Sequence, residues 1–163
     1  MINKITCKKQ LIFLNLAAII ALVAAYISQY FFGLKPCPLC LYQRIPFAII
    51  ILLCLSALVF PKSQKIILIL CAMALLGNCV IAFYHVGVEK KIFKGLSSCS
   101  GSELNEIDNL ADLENAILNI DAVKCDKPQF IFLKLSMAAW NFLYCLALLL
   151  GLWKFSKLAR RNF

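Results

Sequence analysis

The sequence predicts an all-α membrane protein in which four transmembrane helices form a bundle. Of its 163 residues, 63% are hydrophobic and only 15% are charged, whereas a soluble domain is about half apolar and a quarter charged. The apolar residues are gathered in four long runs, with most of the charges between and beyond them. Despite nine cysteines, these runs exclude a small secreted disulfide scaffold.

The first apolar run extends over 11–32 and contains no charged residue. Its 22 residues are enough to cross a hydrocarbon core of about 30 Å at about 1.5 Å per residue. A cleaved signal peptide would have an apolar region of only about 7–15 residues. We therefore expect this run to be a membrane span.

Three further runs complete the predicted bundle. They extend over 40–60, 66–88 and 132–153, and the basic segment between the second and third is short enough for a turn between antiparallel helices. We expect a single membrane domain over 1–163. Its outer loops would be 33–39 and 89–131, and its inner segments 1–10, 61–65 and 154–163.

Basic residues are distributed unequally between the two predicted faces. The three inner segments contain nine Lys and Arg residues and no acidic residue, whereas all eight Asp and Glu residues fall between Glu89 and Asp126. Cytoplasmic segments of membrane proteins are enriched in Lys and Arg. We therefore expect both termini in the cytoplasm and both loops on the outer face. The net charge of +9 then requires no nucleic-acid partner.

The long outer loop contains apolar residues at roughly helical spacing among acidic ones. These are Leu104, Ile107, Leu110, Leu113, Ile117 and Leu118. The pattern predicts a short amphipathic helix. It would lie either on the outer membrane surface or against the loop's own side chains.

The predicted topology sorts the cysteines by compartment. Cys37, Cys40, Cys99 and Cys125 fall on the outer face, where an oxidising environment lets disulfides persist. Pairing Cys37 with Cys40 and Cys99 with Cys125 is one of three possible connectivities. A buried thiol within a span packs as a small apolar side chain. The remaining cysteines are the cytoplasmic Cys7 and the membrane-embedded Cys54, Cys71, Cys79 and Cys145.

The segment KPCPLCLYQR at 35–44 places a C-x-x-C pair where the second run begins. Proline is favoured at the first position of a helix, so Pro38 predicts a helix start with Cys37 near the N-cap and Cys40 in the first turn. The positive end of a helix stabilises a thiolate. Arg44 falls on the same helix face as Cys40, and its guanidinium can bind a carbonyl or an oxyanion. Its alternative role is that of an interfacial arginine that reaches toward water.

An outward-facing dithiol at the membrane border needs an electron acceptor. The sequence has no flavin, haem or nicotinamide motif, which favours a lipid-soluble quinone held between the spans. His85 closes the third run at the membrane depth of Cys40 and Arg44, where its imidazole can bind a quinone or move protons. Alternatively, it is satisfied by the backbone or by Glu89, one turn further on.

Two other kinds of protein remain open at this point. Cys37, Cys40 and His85 can form a metal or haem site, although a four-cysteine zinc site usually has two close pairs. A c-type haem would need histidine after Cys40, where the sequence has Leu41. The outer cysteines can also form disulfides that merely brace a loop of a structural membrane protein.

The chain resembles, over essentially its full length, the disulfide-bond formation protein B (DsbB) family of bacterial inner-membrane thiol:quinone oxidoreductases. The resemblance rests on four spans, the segment KPCPLCLYQR, the outer pair Cys99 and Cys125, the stretch YHVGVE at 84–89 and LSMAAWN at 135–141. Relatives of vitamin K epoxide reductase differ, because their C-x-x-C pair lies late in the chain.

The resemblance implies a role for each outer cysteine. The Cys99–Cys125 disulfide would accept electrons from a periplasmic thioredoxin-fold oxidase of the DsbA kind, with Cys99 forming the mixed disulfide. Cys125 would then exchange with Cys37, and Cys40 would pass the electrons to ubiquinone or menaquinone. The predicted helix start favours Cys37 as the thiolate, whereas the family assigns the quinone-facing role to Cys40.

The resemblance also assigns the residues of the quinone site, and this sequence departs from the family at two places. Arg44 is similar to the family arginine that holds the quinone head, and His85 falls at a position of the same pocket. Lys134 stands where members usually have a small residue, which predicts a different path from the outer loop into the fourth run. The loop is also rich in acidic residues, which favours a specialised oxidase as partner.

Overall fold

The computed structural model describes residues 4–95, 125, 126, 128 and 130–161. Cys99 and the amphipathic helix predicted between Leu104 and Leu118 lie outside the described residues. Most of the outer loop at 89–131 does so as well.

Long helices make up most of the described chain. In order, the elements are α1 (Lys4–Tyr30), α2 (Pro38–Tyr42), α3 (Arg44–Val59), the 3-10 turn η1 (Pro61–Ser63), α4 (Gln64–Glu89), β1 (Ile131–Phe132), β2 (Leu135–Ser136) and α5 (Met137–Arg161). Among the described residues, four helical segments are long and apolar enough to cross a membrane: Thr6–Tyr30, Pro38–Val59, Pro61–Glu89 and Met137–Lys157. The predicted class of four membrane-spanning helices is therefore confirmed.

The bundle is organised around α4, which packs against α1, α3 and α5, while α1 also packs along α3. The four long helices each contribute to one apolar core, represented by Leu14, Ile50, Leu75 and Cys145, all at most 1% exposed. Large apolar side chains on the opposite faces of the helices, such as Leu52, are exposed. Such outward apolar faces are what a helix bundle presents to lipid.

The second span consists of two helices that meet at Gln43. Cys37 is the N-cap of α2 and Pro38 is its first residue, as the sequence predicts. Pro46 has no N–H to donate to the carbonyl of Tyr42, so the helical ladder is interrupted one turn before it. The cysteine-bearing α2 is therefore a short helix of its own, set on the N-terminal end of α3.

The chain turns back sharply after α4. The N–H groups of Ile92 and Phe93 both donate to the carbonyl of Gly87, at 2.8 and 3.2 Å, and Lys91 has a φ of 57°. The Phe93 ring then stacks on Tyr84, with 5.7 Å between ring centroids. A Cβ at Gly87 would overlap this ring, so the turn requires glycine there.

The fourth span begins later than the apolar run predicts. Residues 131–136, the first of which precedes the predicted span, form an antiparallel hairpin with Phe132 opposite Leu135, and α5 starts at Met137. The physical reason is an N-cap, since the hydroxyl of Ser136 accepts a hydrogen bond from the N–H of Ala139 at 3.2 Å. The hairpin lies on the N-terminal end of α5, where the Trp140 indole donates to the Phe132 carbonyl at 3.1 Å.

The hairpin turn has an unusual backbone. Leu133 and Lys134 have φ values of 51° and 64°, a region that costs a residue with a side chain about 1–2 kcal/mol. Lys134 therefore lies in a strained turn, while a path that differs from that of relatives stays a prediction.

Candidate functional site

The two cysteines of the C-x-x-C pair face each other at the N-terminus of α2. Their Sγ atoms are 3.0 Å apart, and the backbone N–H of Cys40 donates to the Cys37 sulfur at 3.4 Å. Both cysteines are free. Cys37 is buried, whereas Cys40 is partly exposed. The pair is therefore a dithiol held together by hydrogen bonds.

His85 reaches this dithiol from α4. Its side chain is 2% exposed, and its Nε2 atom lies 3.5 Å from the Cys37 sulfur. On the other side of the ring, Nδ1 lies 3.2 Å from the amide nitrogen of Gln43. An amide nitrogen can only donate, so in this arrangement Nδ1 accepts and Nε2 carries the proton that faces Cys37. The carboxylate of Glu89 also approaches Nε2, at 3.8 Å.

These contacts lower the pKa of the Cys37 thiol below its ordinary value. The largest cause is the hydrogen bond from the Cys40 side chain; burial opposes it, and His85 and the Cys40 N–H add to the lowering. A thiol that receives hydrogen bonds favours its thiolate form. The prediction that the helix start favours Cys37 as the thiolate therefore agrees with the geometry.

Arg44 is held in place by α1. Its Nη1 atom donates to the Gln29 side-chain oxygen at 2.7 Å, and its guanidinium carbon lies 5.0 Å from the centroid of the Tyr26 ring. A hydrogen bond and a cation–π contact together fix the position of the charge. Arg44 therefore faces the interior of the protein, not only the lipid interface.

A cavity of about 600 Å³ lies between the helices beside the dithiol. Most of its wall is apolar, and the polar or charged side chains that line it are Ser28, Gln29, Lys35, Gln43, Arg44, His85, Glu89, Asn141 and Tyr144. Pockets of about 300–1,000 Å³ with apolar walls and a few placed polar groups are typical of small-molecule sites. Cys37 and Cys40 also line this cavity.

Cys125 lies beside Cys37 and the cavity. It is 1% exposed, packs in one cluster with Cys37, Leu39 and Val88, and lines the cavity. It is disulfide-bonded, and the seven other cysteines that the structure describes are free. Since Cys99 lies outside the described residues, its predicted pairing with Cys125 stays a prediction.

The fold thus gathers five of the six residues that the sequence nominates around one cavity. These are Cys37, Cys40, Arg44, His85 and Cys125. Sequence reasoning missed Gln43 and Gln29, which position His85 and Arg44. The available signal was their polarity at the borders of apolar runs, because an uncharged amide there needs a partner inside the protein.

The membrane-embedded cysteines lie apart from this cavity. Cys54 and Cys71 approach each other at 4.0 Å within the core, and Cys145 accepts a hydrogen bond from Asn78 at 3.3 Å. All of them are buried. Their surroundings agree with the predicted role as small packing side chains.

The chain is similar to known proteins over most of its length. Residues 8–154 match the family model described as disulfide bond formation protein DsbB. The chain is 34% identical over 149 residues to "Disulfide bond formation protein B" of Xylella fastidiosa (strain Temecula1 / ATCC 700964), covering 86% of this chain and 85% of that protein.

Two further relatives match a similar fraction of this chain. "Disulfide bond formation protein B" of Acinetobacter baylyi is 27% identical over 148 residues, which is 86% of each chain. "Uncharacterized protein RP370" of Rickettsia prowazekii is 34% identical over 138 residues, or 83% of this chain and 80% of that one. No solved structure matches the chain significantly.

Proposed function

The chain belongs to the disulfide bond formation protein B family, and on this premise we propose that it is a quinone-dependent thiol oxidoreductase. Its substrate would be a periplasmic thioredoxin-fold dithiol oxidase of the DsbA kind, which it returns to the disulfide form. One observation carries the proposal. Cys37, Cys40, Cys125 and Arg44 line a single cavity, so a thiol donor and an electron exit lie next to the same dithiol.

The proposed relay consists of two disulfide exchanges. The reduced partner first attacks the Cys99–Cys125 disulfide through Cys99, and it leaves as a disulfide with Cys99 and Cys125 reduced. The Cys125 thiolate then attacks the sulfur of Cys37 in a Cys37–Cys40 disulfide and releases the Cys40 thiolate. Cys99 next attacks Cys125, which restores Cys99–Cys125 and releases the Cys37 thiolate. Two electrons have then moved to Cys37 and Cys40.

The packing of Cys125 supports the middle step. Thiol–disulfide exchange requires the attacking sulfur to reach the sulfur under attack, and Cys125 lies in the same buried cluster as Cys37. Cys37 is also a good leaving group in the last exchange, because contacts with Cys40 and His85 lower its pKa. A thiol with a lower pKa leaves faster.

The residues of the cavity fit a quinone. Its apolar wall suits an isoprenoid chain, while Arg44 and the Nε2–H side of His85 offer hydrogen-bond donors for carbonyl oxygens. Either ubiquinone or menaquinone would accept two electrons and two protons there. Glu89 lies 3.8 Å from the Nε2 atom of His85, so these two residues can move a proton between the dithiol and the cavity.

We further propose the orientation that the charges indicate. Both termini would lie in the cytoplasm of a bacterial inner membrane and the redox loops in the periplasm, because the basic inner segments contain no acidic residue. The N-terminus of α2 and the end of α4 meet where Cys37 contacts His85, so both would lie on the periplasmic side.

The test uses the purified full-length protein in detergent with a reduced DsbA-type protein and a soluble ubiquinone analogue. We expect quinone reduction, followed by absorbance, that is lost in Cys40→Ser and Cys37→Ser. Cys54→Ala is the matched control, since Cys54 is an equally buried thiol outside the cavity. The proposal is overturned if the wild-type protein reduces no quinone, or if Cys40→Ser reduces it as fast as the wild type.

A further inference from the structure

Cys37, Cys40 and His85 carry the donor atoms that soft metal ions prefer. The two sulfur atoms and the imidazole nitrogen all lie within 4.8 Å of one another. Thiolate sulfur and imidazole nitrogen are the usual ligands of Zn²⁺ in proteins. The sequence supplies only one close cysteine pair on the outer face, and the fold adds the imidazole from α4.

The distances are close to those of a zinc site. Bonds of about 2.3 Å to sulfur and 2.0–2.1 Å to nitrogen in a tetrahedron place S and N about 3.6 Å apart and two sulfurs about 3.8 Å apart. The Cys37 sulfur lies 3.5 Å from the Nε2 atom of His85. The two sulfurs are 3.0 Å apart, so they need to separate by only about 0.8 Å.

The surroundings support such a site. Glu89 lies 3.8 Å from Nε2 through its carboxylate and lines the same cavity, so it can add a negative charge beside the metal. When Nε2 binds a metal, the proton of a neutral imidazole moves to Nδ1. Gln43 faces Nδ1, and its amide oxygen can accept this proton after rotation of the amide. Partners of this kind orient metal-binding histidines.

We propose that the reduced form of this site binds a thiophilic divalent cation, with Zn²⁺ as the ion that fits, through the Cys37 sulfur, the Cys40 sulfur and His85 Nε2. Each thiol that is still protonated releases its proton to water as the metal–sulfur bond forms, and no electron is transferred. Formation of the Cys37–Cys40 disulfide removes both sulfur ligands. The affinity is therefore confined to the reduced state.

The consequence for turnover rests on the proposed function. A bound cation occupies the sulfur of Cys37, which exchanges with Cys125, and the sulfur of Cys40, which delivers electrons to the quinone. It therefore stops the relay after the electrons have reached this pair. Zn²⁺ would act as a reversible inhibitor of the working enzyme. It would not be a resident cofactor, because the oxidised enzyme could not hold it.

The binding test uses Co²⁺ as the probe, because thiolate–Co²⁺ bonds give intense absorption bands. The purified full-length protein carries Cys99→Ala and Cys125→Ala, so that the second outer pair cannot contribute ligands. We expect a thiolate–Co²⁺ band that saturates at one ion per chain in the reduced protein and is displaced by Zn²⁺. After oxidation of Cys37 and Cys40 to the disulfide, the band should be absent.

Variants assign the ligands. Cys37→Ser, Cys40→Ser and His85→Ala should each weaken Co²⁺ binding strongly, whereas Gln43→Leu should weaken it about 10- to 100-fold, as expected for a residue that supports a ligand. Cys54→Ala is the control that retains full binding. The proposal is overturned if no thiolate–Co²⁺ band appears, if the band persists in the disulfide form, or if it survives the loss of either Cys37 or Cys40.

Inhibition is measured separately, in the protein with all nine cysteines. We expect Zn²⁺ to block quinone reduction and a chelator to restore it. If Co²⁺ binds as described but the protein never reduces a quinone, the proposed function fails while the metal site stands. If quinone reduction is normal and no thiolate–Co²⁺ band forms, the metal site fails alone.

Discussion

The Nε2 atom of His85 lies 3.5 Å from the sulfur of Cys37, although 48 residues separate them in the chain. This contact joins α4 to the N-cap of α2 and places the proton of a buried imidazole beside a thiol. It links the C-x-x-C pair to the rest of the bundle, and the first prediction follows from it.

The reactivity of Cys37 should depend on pH in a way that His85 and Cys40 control. A thiol reacts as its thiolate, so its alkylation rate rises as the pH passes through its pKa. Contacts with Cys40 and His85 lower the pKa of Cys37. Removing either partner should therefore shift the alkylation curve to higher pH, and Cys40→Ala should shift it further than His85→Ala.

The measurement is iodoacetamide labelling of the reduced, metal-free protein, followed by mass spectrometry of the peptide that contains Cys37. Cys54→Ala should leave the curve in place. An unshifted curve in His85→Ala would show that the imidazole does not stabilise this thiolate.

Gln43 should act through His85. Gln43→Leu leaves the buried Nδ1 atom without its hydrogen-bond partner, a loss of about 1–3 kcal/mol, and should lower the rate of dithiol oxidation about 5- to 150-fold. The Cys37 alkylation curve should move in the same direction as in His85→Ala. Gln43→Asn, which keeps an amide N–H that can donate to Nδ1, should retain more activity than Gln43→Leu. Equal activity of the two variants would contradict this role.

Gln29 should influence the quinone without affecting the dithiol. It accepts a hydrogen bond of 2.7 Å from Arg44, and a bond to a charged group contributes about 1.5–3 kcal/mol. Gln29→Leu should therefore raise KM for the quinone about 10-fold or more, with an unchanged alkylation curve for Cys37. Steady-state kinetics with varied quinone provide the measurement. A lower kcat at an unchanged KM would refute the assignment.

Gly87→Ala should loosen the turn that follows α4. Its new methyl group would overlap the Phe93 ring, and overpacking of this kind costs about 1–3 kcal/mol. We expect a lower Tm in detergent. The double variant with Phe93→Ala tests the cause, because it removes the overlap and should lose less stability than the two single changes added together. Simple additivity would mean that the two residues do not interact.

Lys134→Gly should stabilise the hairpin. Lys134 has a φ of 64°, which costs a residue with a Cβ about 1–2 kcal/mol, whereas the entropy that glycine loses on folding offsets about 0.5–1 kcal/mol of the gain. The expected net effect is a rise in Tm. Lys134→Ala is the matched control, since it removes the charge and keeps the Cβ. A rise of the same size in both variants would assign the effect to charge instead of backbone.

The number and approximate bounds of the long helices can be predicted from the sequence, because a segment that crosses the lipid must be long and apolar. Four apolar runs and the helix start at Pro38 are local properties, and the structure has the helices and the cap where they predict them. The fourth helix begins later than predicted. The apolar residues around Phe132 follow neither a helical nor an alternating pattern, so they do not distinguish a strand from a helix. The N-cap at Ser136 decides it.

The candidate site was only partly accessible from the sequence. Cys37, Cys40 and Arg44 are close in the chain, and the depth of His85 in its run placed it near them. The contact of Gln43 with His85 and that of Gln29 with Arg44 depend on how the helices rotate about their axes. That rotation is set by tertiary packing, which no local pattern encodes.

Pro46 has a consequence for movement. Because Pro46 removes one backbone hydrogen bond at this point, the short helix α2, with Cys37 as its N-cap and Cys40 within it, is joined to α3 less firmly than a continuous helix would be, whereas Phe47 and Ile50 of α3 are buried in the core. Closing and opening the dithiol should therefore rotate this one turn about a hinge at Gln43. The bundle then works as a rigid frame, and the outline that it presents to lipid should be the same in both redox states.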